Sequence, residues 1–225
     1  MLFYSPMKPH SHSYILRLVS LTFFALACSS LYAKGKMSYS GYSGGMMVHS
    51  GYVFGGESTP LSQGVAVSES IPMSGFPIGL GGAVRFCFGD YLRIGTEGYS
   101  STLSYNKNAS YSRIGWGGLL ADCAFRFKEK HLLYIGLTIG GGSCKNLTLM
   151  HDTKADWEVE ENTSYRKYAF MALDPFVGYE YALTSKIHLI FKLDYLFNVS
   201  NPQPDFCTGP RLYVGIMFCR EPHKG

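Results

Sequence analysis

The feature that most constrains the fold of this chain is alternation of apolar and polar residues, repeated in eight segments between residues 44 and 220. In the clearest segment, 187–198, six apolar side chains alternate with a set that includes His188, Lys192 and Asp194. Successive residues of a β-strand point to opposite sides of its sheet, so a period of two sorts these side chains onto two surfaces. The pattern predicts strands that separate an apolar environment from a polar one.

Eight strands are predicted, joined alternately by very short turns and by longer polar connections. The predicted strands are 44–54, 76–88, 91–101, 113–127, 131–144, 167–181, 186–198 and 210–219. Short turns at one rim and long loops at the other are typical of outer-membrane barrels, and an even strand number lets the sheet close without an edge. The predicted fold is therefore all-β: an eight-stranded antiparallel up-and-down transmembrane β-barrel with short periplasmic turns and longer extracellular loops.

The N-terminus resembles a secretory signal peptide, because Lys8 and Arg17 precede an apolar run, Leu18–Cys28, that is too short to span a membrane. We expect cleavage after Ala33, and lipidation at Cys28 is the alternative. The predicted domains are a signal peptide (1–33), a short periplasmic leader (34–43), the barrel (44–220) and a C-terminal tail (221–225).

Residues of one parity are almost all apolar and form the predicted outer surface. On three strands they are Phe76, Ile78, Leu80, Val84, Phe86, Phe88, Leu119, Ala121, Phe125, Phe127, Leu133, Ile135, Leu137 and Ile139. A lipid-facing Arg or Lys at mid-depth costs roughly 2–4 kcal/mol, so the lack of charge favours a barrel in lipid. A soluble barrel such as a lipocalin would need the opposite arrangement, with polar residues outside.

The opposite parity collects the ionisable residues in the predicted lumen. They are Arg85, Arg93, Glu97, Asp122, Arg126, Asp174, Glu180, His188, Lys192, Asp194 and Arg211. Apart from His188, five are cationic and five are acidic. Eight strands enclose an interior that side chains can fill, so we expect a neutral ion-pair network that seals the lumen.

The loop-side half of the lumen is predicted to be apolar and roomy. It receives Tyr99, Ile114, Trp116, Tyr168, Phe170 and Leu196, with space from Gly51, Gly79, Gly136 and Gly140. An aromatic-lined cup above a salt-bridged floor would suit a small apolar ligand. The alternative is that rings and glycines interdigitate as a packed core.

The last strand, Arg211–Phe218, points Leu212, Val214 and Ile216 outward and ends on an aromatic residue. It resembles the C-terminal signal that the barrel-assembly machinery reads, although a tail follows it here. The whole predicted barrel resembles small eight-stranded bacterial outer-membrane barrels of the OmpA transmembrane domain, OmpX and OmpW kind. The resemblance implies the outer membrane of a diderm (Gram-negative-type) bacterium and, for the OmpW kind, a hydrophobic trough in the lumen.

Two functions remain open at this point. The first is porin-like, OmpW-like binding or narrow passage of small hydrophobic molecules, a transport role, through the six upper-lumen residues. The alternative is a structural or adhesive barrel whose long loops bind a host or neighbouring surface while a salt-bridged lumen stays closed. Outer-membrane lipid and the barrel-assembly machinery are the other expected partners.

An enzyme is not expected. His49 and Ser50 are adjacent and therefore lie on opposite faces of one strand, and His151 with Asp152 falls in a polar loop. The sequence has no zinc spacing, phosphate loop or basic stripe, so no metal, other cofactor or nucleic-acid partner is expected.

Five cysteines follow the predicted signal peptide: Cys87, Cys123, Cys144, Cys207 and Cys219. Cys144 and Cys207 lie near loop bases at the same end, and their disulfide state is left open. Free buried thiols are expected for most of the five.

Overall fold

The computed structural model describes residues 38–59, 61–62, 65–66, 70–105, 110–149 and 163–220. The predicted signal peptide and C-terminal tail lie outside these residues. Eight long strands carry the fold. They are β1 Tyr39–Gly51, β2 Ile78–Phe88, β3 Leu92–Tyr105, β4 Ser110–Lys128, β5 His131–Leu149, β6 Thr163–Ala182, β7 Ile187–Tyr195 and β8 Pro210–Arg220.

These strands form one closed antiparallel barrel. Each strand pairs with the next along the chain, and β1 also pairs with β8, with Val48 opposite Val214. This confirms the predicted all-β, up-and-down barrel of eight strands. Closure leaves the sheet without an edge, which a structure in hydrocarbon requires because unpaired backbone groups there cost several kcal/mol.

Short turns join the strands at one rim, as predicted. Gly89 begins the β2–β3 turn with a φ of 58°, in the left-handed region that glycine adopts without steric cost. Strand β1 begins at Tyr39, so the last five residues of the expected leader belong to the barrel.

At the opposite rim, β3–β6 are longer than predicted by three to five residues each at their loop ends. Their extra length continues the ladders to Tyr105 opposite Ser110 and to Thr163 opposite Leu149. The sequence did not reveal this because backbone pairing continues where the outward side chains stop being apolar. We call residues 100–105, 110–117, 141–149 and 163–169 the projecting sheet.

The first long connection contains an unpredicted hairpin, Val53–Ser58 paired with Ile71–Gly75. Its inner residues pack in a small apolar cluster that includes Leu103 and Cys207. The connection therefore folds onto the barrel mouth.

Pro175 lies within β6. The pairing of β6 with β5 stays in register through Pro175, which lies opposite Leu137. The interruption is on the other side of β6, where Leu196 separates β7 from a short continuation, Phe197–Asn198. Proline has no amide hydrogen to donate, which explains a break in a ladder.

The outer surface of the barrel is apolar, as parity predicted. Ile78 is 74%, Leu119 69% and Ile139 52% exposed to solvent. Nearly every predicted outward side chain is exposed, while Phe88, Ala121 and Leu137 are partly covered. Monomeric soluble proteins rarely expose continuous apolar patches beyond a few hundred Å², so this belt requires a lipid environment.

No helix that is long and apolar enough to cross a membrane occurs in the described part of the chain.

Candidate functional site

The lumen begins at the short-turn rim with a buried network of two arginines and two acids, which we call the floor. Arg85 Nε lies 3.2 Å from Asp122 Oδ2, and Arg93 also contacts Asp122. Both guanidinium groups reach Glu180 Oε1, at 3.3 and 2.6 Å. His188 Nδ1 is 3.3 Å from Glu180 Oε2. The sequence had placed all five of these residues inside the lumen.

An aromatic ring completes the floor. The Tyr134 ring is contacted by two guanidinium groups, with Arg85 Cζ 4.9 Å and Arg93 Cζ 4.7 Å from its centroid. Cation–π contacts of this kind stabilise a desolvated cation by about 2 kcal/mol. With Tyr134, the floor joins side chains from five strands.

A second network lies at mid-height around the ammonium group of Lys192. Its Nζ donates to both oxygens of Glu97, at 2.8 and 2.9 Å, and lies 3.5 Å from Asp174 and 3.5 Å from Asp194. Thr138 Oγ1 donates to Glu97 Oε1 at 2.6 Å. The side chains of Lys192 and its three acidic neighbours are fully buried, so water has no access to this cluster.

The same ammonium group is surrounded by aromatic rings. Its Nζ lies 4.5 Å from the centroid of Phe176, 5.0 Å from that of Tyr213 and 5.1 Å from that of Tyr99. The middle of the lumen therefore combines carboxylates and ring faces around one cation. Sequence parity had placed Lys192, Glu97, Asp174 and Asp194 inside, but it did not show that one lysine joins three acids.

Arg126 does not join these networks, and the expectation that it would was wrong. Its side chain is exposed next to the β4–β5 turn, where the pairing register shifts between Arg126 and Lys128. At the last residues of a strand, an inward-pointing side chain lies beyond the enclosed lumen and reaches solvent, which explains the difference. Of the ionisable residues predicted to line the lumen, His188 aside, four cationic and five acidic side chains are therefore buried, rather than five of each.

The six predicted upper-lumen residues are brought together inside the barrel. Five of them are buried in the main apolar cluster, and Tyr168 is half-buried against it. The Tyr99 ring lies 5.5 Å from that of Trp116 and 4.8 Å from that of Tyr213. Centroid distances of this size are those of packed aromatic pairs.

The glycines do not leave empty space in the upper lumen. Inward-pointing rings cover the glycines that pair with them on the neighbouring strand. A Cβ on Gly79 would come within 2.2 Å of the His49 ring, and one on Gly136 within 2.4 Å of the Phe176 ring. Both pairs are in register. The expected space is therefore filled by the side chains of adjacent strands.

The mouth of the lumen is closed by the last long connection, residues 199–209, which we call the cap. The Phe206 ring packs 4.9 Å from that of Phe170. Asn146 Nδ2 donates to Asp205 Oδ2 at 2.8 Å, and Arg166 is 3.2 Å from the same carboxylate. Sequence analysis missed the cap, although an apolar Phe206 within a proline-rich polar segment was a signal for it.

Cys207, within the cap, is also buried, and its Sγ donates to the Met73 carbonyl at 3.5 Å. Burial raises the pKa of the Cys207 thiol to about 12, so this thiol stays protonated at neutral pH. Cys87, Cys144, Cys207 and Cys219 are unbridged, which confirms the expectation of free thiols for most of the cysteines.

Little space is left in the upper lumen. The cavity beside Ile114, Ser112 and Arg211 has a volume of about 10 Å³. A larger groove of about 460 Å³ lies largely on the outer surface, where exposed side chains such as Leu133, Val177 and Phe191 border it. The larger of these two concavities therefore faces lipid rather than the lumen.

The candidate catalytic residues are not assembled. His49 is buried inside the barrel, while Ser50 on the same strand is exposed. They occupy opposite faces, as adjacent strand residues must. His151 and Asp152 lie outside the described residues. Among the described residues, no group of three or more His, Cys, Asp or Glu side chains could hold a metal ion.

Solved structures of bacterial outer-membrane proteins share this fold. The outer membrane protein OprG from Pseudomonas aeruginosa is 13% identical and superimposes with a TM-score of 0.51, over 80% of this chain and 97% of its own. Neisserial surface protein A is 14% identical, with a TM-score of 0.50, over 79% of this chain and 96% of its own. No protein-family model and no curated protein sequence matches the chain.

Identity this low shows a common fold and nothing finer. Together with the apolar outer belt and the closed eight-stranded sheet, it defines the chain as an integral outer-membrane β-barrel protein of the type found in Gram-negative bacteria.

Proposed function

We propose that this protein is a non-conducting surface barrel that presents its projecting sheet to partners outside the cell, without catalysis or transport. One observation carries the proposal: buried, mutually contacting side chains are found at three heights of the lumen, in the floor, around Lys192 with the aromatic rings, and at Phe206 in the cap. A barrel whose lumen is blocked at three heights serves as a rigid scaffold. Its function then depends on the surface that it exposes outside the cell.

The size of the internal cavity supports this choice over ligand passage. Sites for small molecules typically enclose about 300–1,000 Å³. The 10 Å³ beside Ile114 is roughly the volume needed for one water molecule. OmpW-like binding or passage, the second candidate, is favoured by the aromatic composition around Trp116, and it would require Phe206 and the packed rings to move.

The projecting sheet offers a partner surface. Tyr111, Leu147 and Tyr165 lie opposite one another in register on its outward face. Tyr165 is 54% exposed. Tyrosine is enriched among the residues that dominate binding energy at protein interfaces, so a row with two tyrosines beyond the lipid belt suits a protein partner.

Single-channel recording in planar bilayers tests the sealed lumen. We expect the refolded mature protein to add no resolved conductance steps, while an open porin in the same bilayer does. Uptake of a fluorescent hydrophobic probe by expressing cells should likewise be unchanged by Phe206→Ala. Regular conductance steps, or uptake that depends on Trp116 and Phe206, would favour the second candidate.

Adhesion by expressing cells tests the displayed surface. We expect a variant with Tyr111→Ser, Leu147→Ser and Tyr165→Ser to lose binding to other cells or to immobilised host matrix. A variant with Thr102→Ala and Ser104→Ala, on the same sheet, is the matched control. Equal adhesion by both variants and by cells without the barrel would refute a role for this face.

A further inference from the structure

Three cations form one row across the outward face of the projecting sheet. Arg113 of β4 lies opposite Lys145 of β5, and Lys145 lies opposite Lys167 of β6. Their parity is that of the lipid-facing residues below them, and all three side chains are exposed or half-exposed. We call Arg113, Lys145 and Lys167 the basic row.

The basic row has no acidic partner within the described ranges of the chain. None of its members appears in an ion pair there, and Arg113 Nε instead donates to Thr102 Oγ1 at 3.3 Å. Like charges directly opposite each other on adjacent strands are destabilising. An anion that lies against the sheet would offset this repulsion, and no side chain within the described ranges supplies one.

The height of the basic row identifies where that anion lies. On β6, Lys167 is four residues beyond Met171, an outward apolar side chain that is 53% exposed. Four residues of a strand tilted by about 40° rise roughly 10 Å along the membrane normal. The polar layer of a bilayer is about 5–8 Å thick on each side, so the basic row lies at or just beyond headgroup level.

The surface between the basic row and the apolar belt is almost without side chains. Gly115 and Ala169 flank Ser143 in one register row, and Gly117 lies opposite Gly141 in the next. A bulky sugar headgroup can therefore approach the backbone directly, with its acyl chains along the apolar belt and its phosphates at the cations. Neighbouring strands are about 4.8 Å apart, so one phosphate can contact two members of the row.

We propose that the basic row binds the phosphate groups of a phosphorylated glycolipid in the outer leaflet. Charge complementarity and the unbroken path from the apolar belt to the row both select a lipid headgroup over a soluble anion. The inference is independent of the sealed lumen and of the adhesive surface, because it concerns how the barrel holds its own lipid.

Native mass spectrometry of barrels extracted from nanodiscs that contain bisphosphorylated lipid A in phosphatidylcholine tests the proposal. We expect wild-type barrels to retain lipid A, and the Arg113→Gln, Lys145→Gln, Lys167→Gln variant to retain at least about tenfold less. Lipid A stripped of both phosphates should not be retained by either protein. Heat-modifiable migration on gels reports that each variant is folded.

The matched control removes three exposed cations at the opposite rim, by Lys128→Gln, Lys130→Gln and Lys186→Gln. This variant should retain lipid A as the wild type does. Equal retention by the two triple variants, or equal retention of the dephosphorylated lipid, would overturn the proposal. Binding of a soluble sulfated oligosaccharide through the row, without retention of lipid A, would also overturn it and assign the row to a soluble glycan.

Discussion

Lys192 is the residue on which the middle of the lumen depends. Its fully buried ammonium group is the one cation within 4 Å of Glu97, Asp174 and Asp194 among the described residues. Replacing one partner of a buried ion pair leaves the others desolvated and unpaired, which costs about 3–5 kcal/mol. The burial of this lysine is tolerated because three carboxylates and several rings compensate its lost hydration.

We therefore expect Lys192→Met, which keeps the length of the side chain but not its charge, to lower the free energy of unfolding by about 3–5 kcal/mol. Urea titration of the barrel in lipid vesicles measures this change. Lys145→Met, an exposed cation on the outward face, should change it by less than about 1 kcal/mol. A similar midpoint for both variants would show that the lysine cluster is not a stabilising seal.

Residue parity predicted much of this site. It placed Arg85, Arg93 and Glu180 together, and the structure brings them within ion-pair distance. It failed for Arg126 because parity states only which way a side chain points, and not whether the lumen is still enclosed at that height. It also could not reveal the cap, since long-range contacts such as Asn146 with Asp205 have no periodic signature.

At the scale of strands, aromatic rings and glycines are matched across register pairs. Gly178 lies opposite Tyr134, and a Cβ there would come within 2.0 Å of the Tyr134 ring. The glycine lets the ring lie flat over the next strand, beneath Arg85 and Arg93. Pairs of this kind, together with those at Gly79 and Gly136, fill an interior that the sequence alone suggested was open.

The strand-scale prediction concerns Gly178→Ala. The added methyl group must displace the Tyr134 ring from the two guanidinium groups, and overpacking of this kind costs about 1–3 kcal/mol. The free energy of unfolding in urea is the measurement. Gly115→Ala is the matched control, because a Cβ at Gly115 meets no atom within 4 Å. In a Tyr134→Ala background the cost of Gly178→Ala should disappear; a cost that persists would place its origin in the backbone instead.

The strands themselves were predictable only where their two faces contact different environments. Between the two membrane faces, alternation is enforced by lipid outside and ion pairs inside, so β2, β7 and β8 were found with boundary errors of at most three residues. In the projecting sheet, water lies outside, and Ser100, Thr102 and Ser104 replace apolar residues. The contrast between the two faces then vanishes although the hydrogen-bonded ladder continues.

At the scale of the whole molecule, strand lengths divide the barrel into a part in lipid and a part beyond it. A lipid belt of about 25 Å is crossed by about ten residues of a tilted strand. Strand β5 has 19 residues. Counted from the short-turn rim, Leu137 should lie inside the hydrocarbon and Leu147 well beyond it, although both are apolar and point outward.

Depth-dependent tryptophan fluorescence distinguishes these positions. The two native tryptophans, Trp116 and Trp157, are replaced by Phe, and a single Trp is introduced at Leu137, Ser143 or Leu147 in turn. In vesicles of lipids brominated near the middle of the acyl chains, quenching should be strongest for Leu137→Trp, weak for Ser143→Trp and lacking for Leu147→Trp. Hydrophobicity alone would rank Leu147 with Leu137. Strong quenching at both positions would therefore mean that β5 lies within the bilayer along its whole length. The basic row would then not lie at headgroup level.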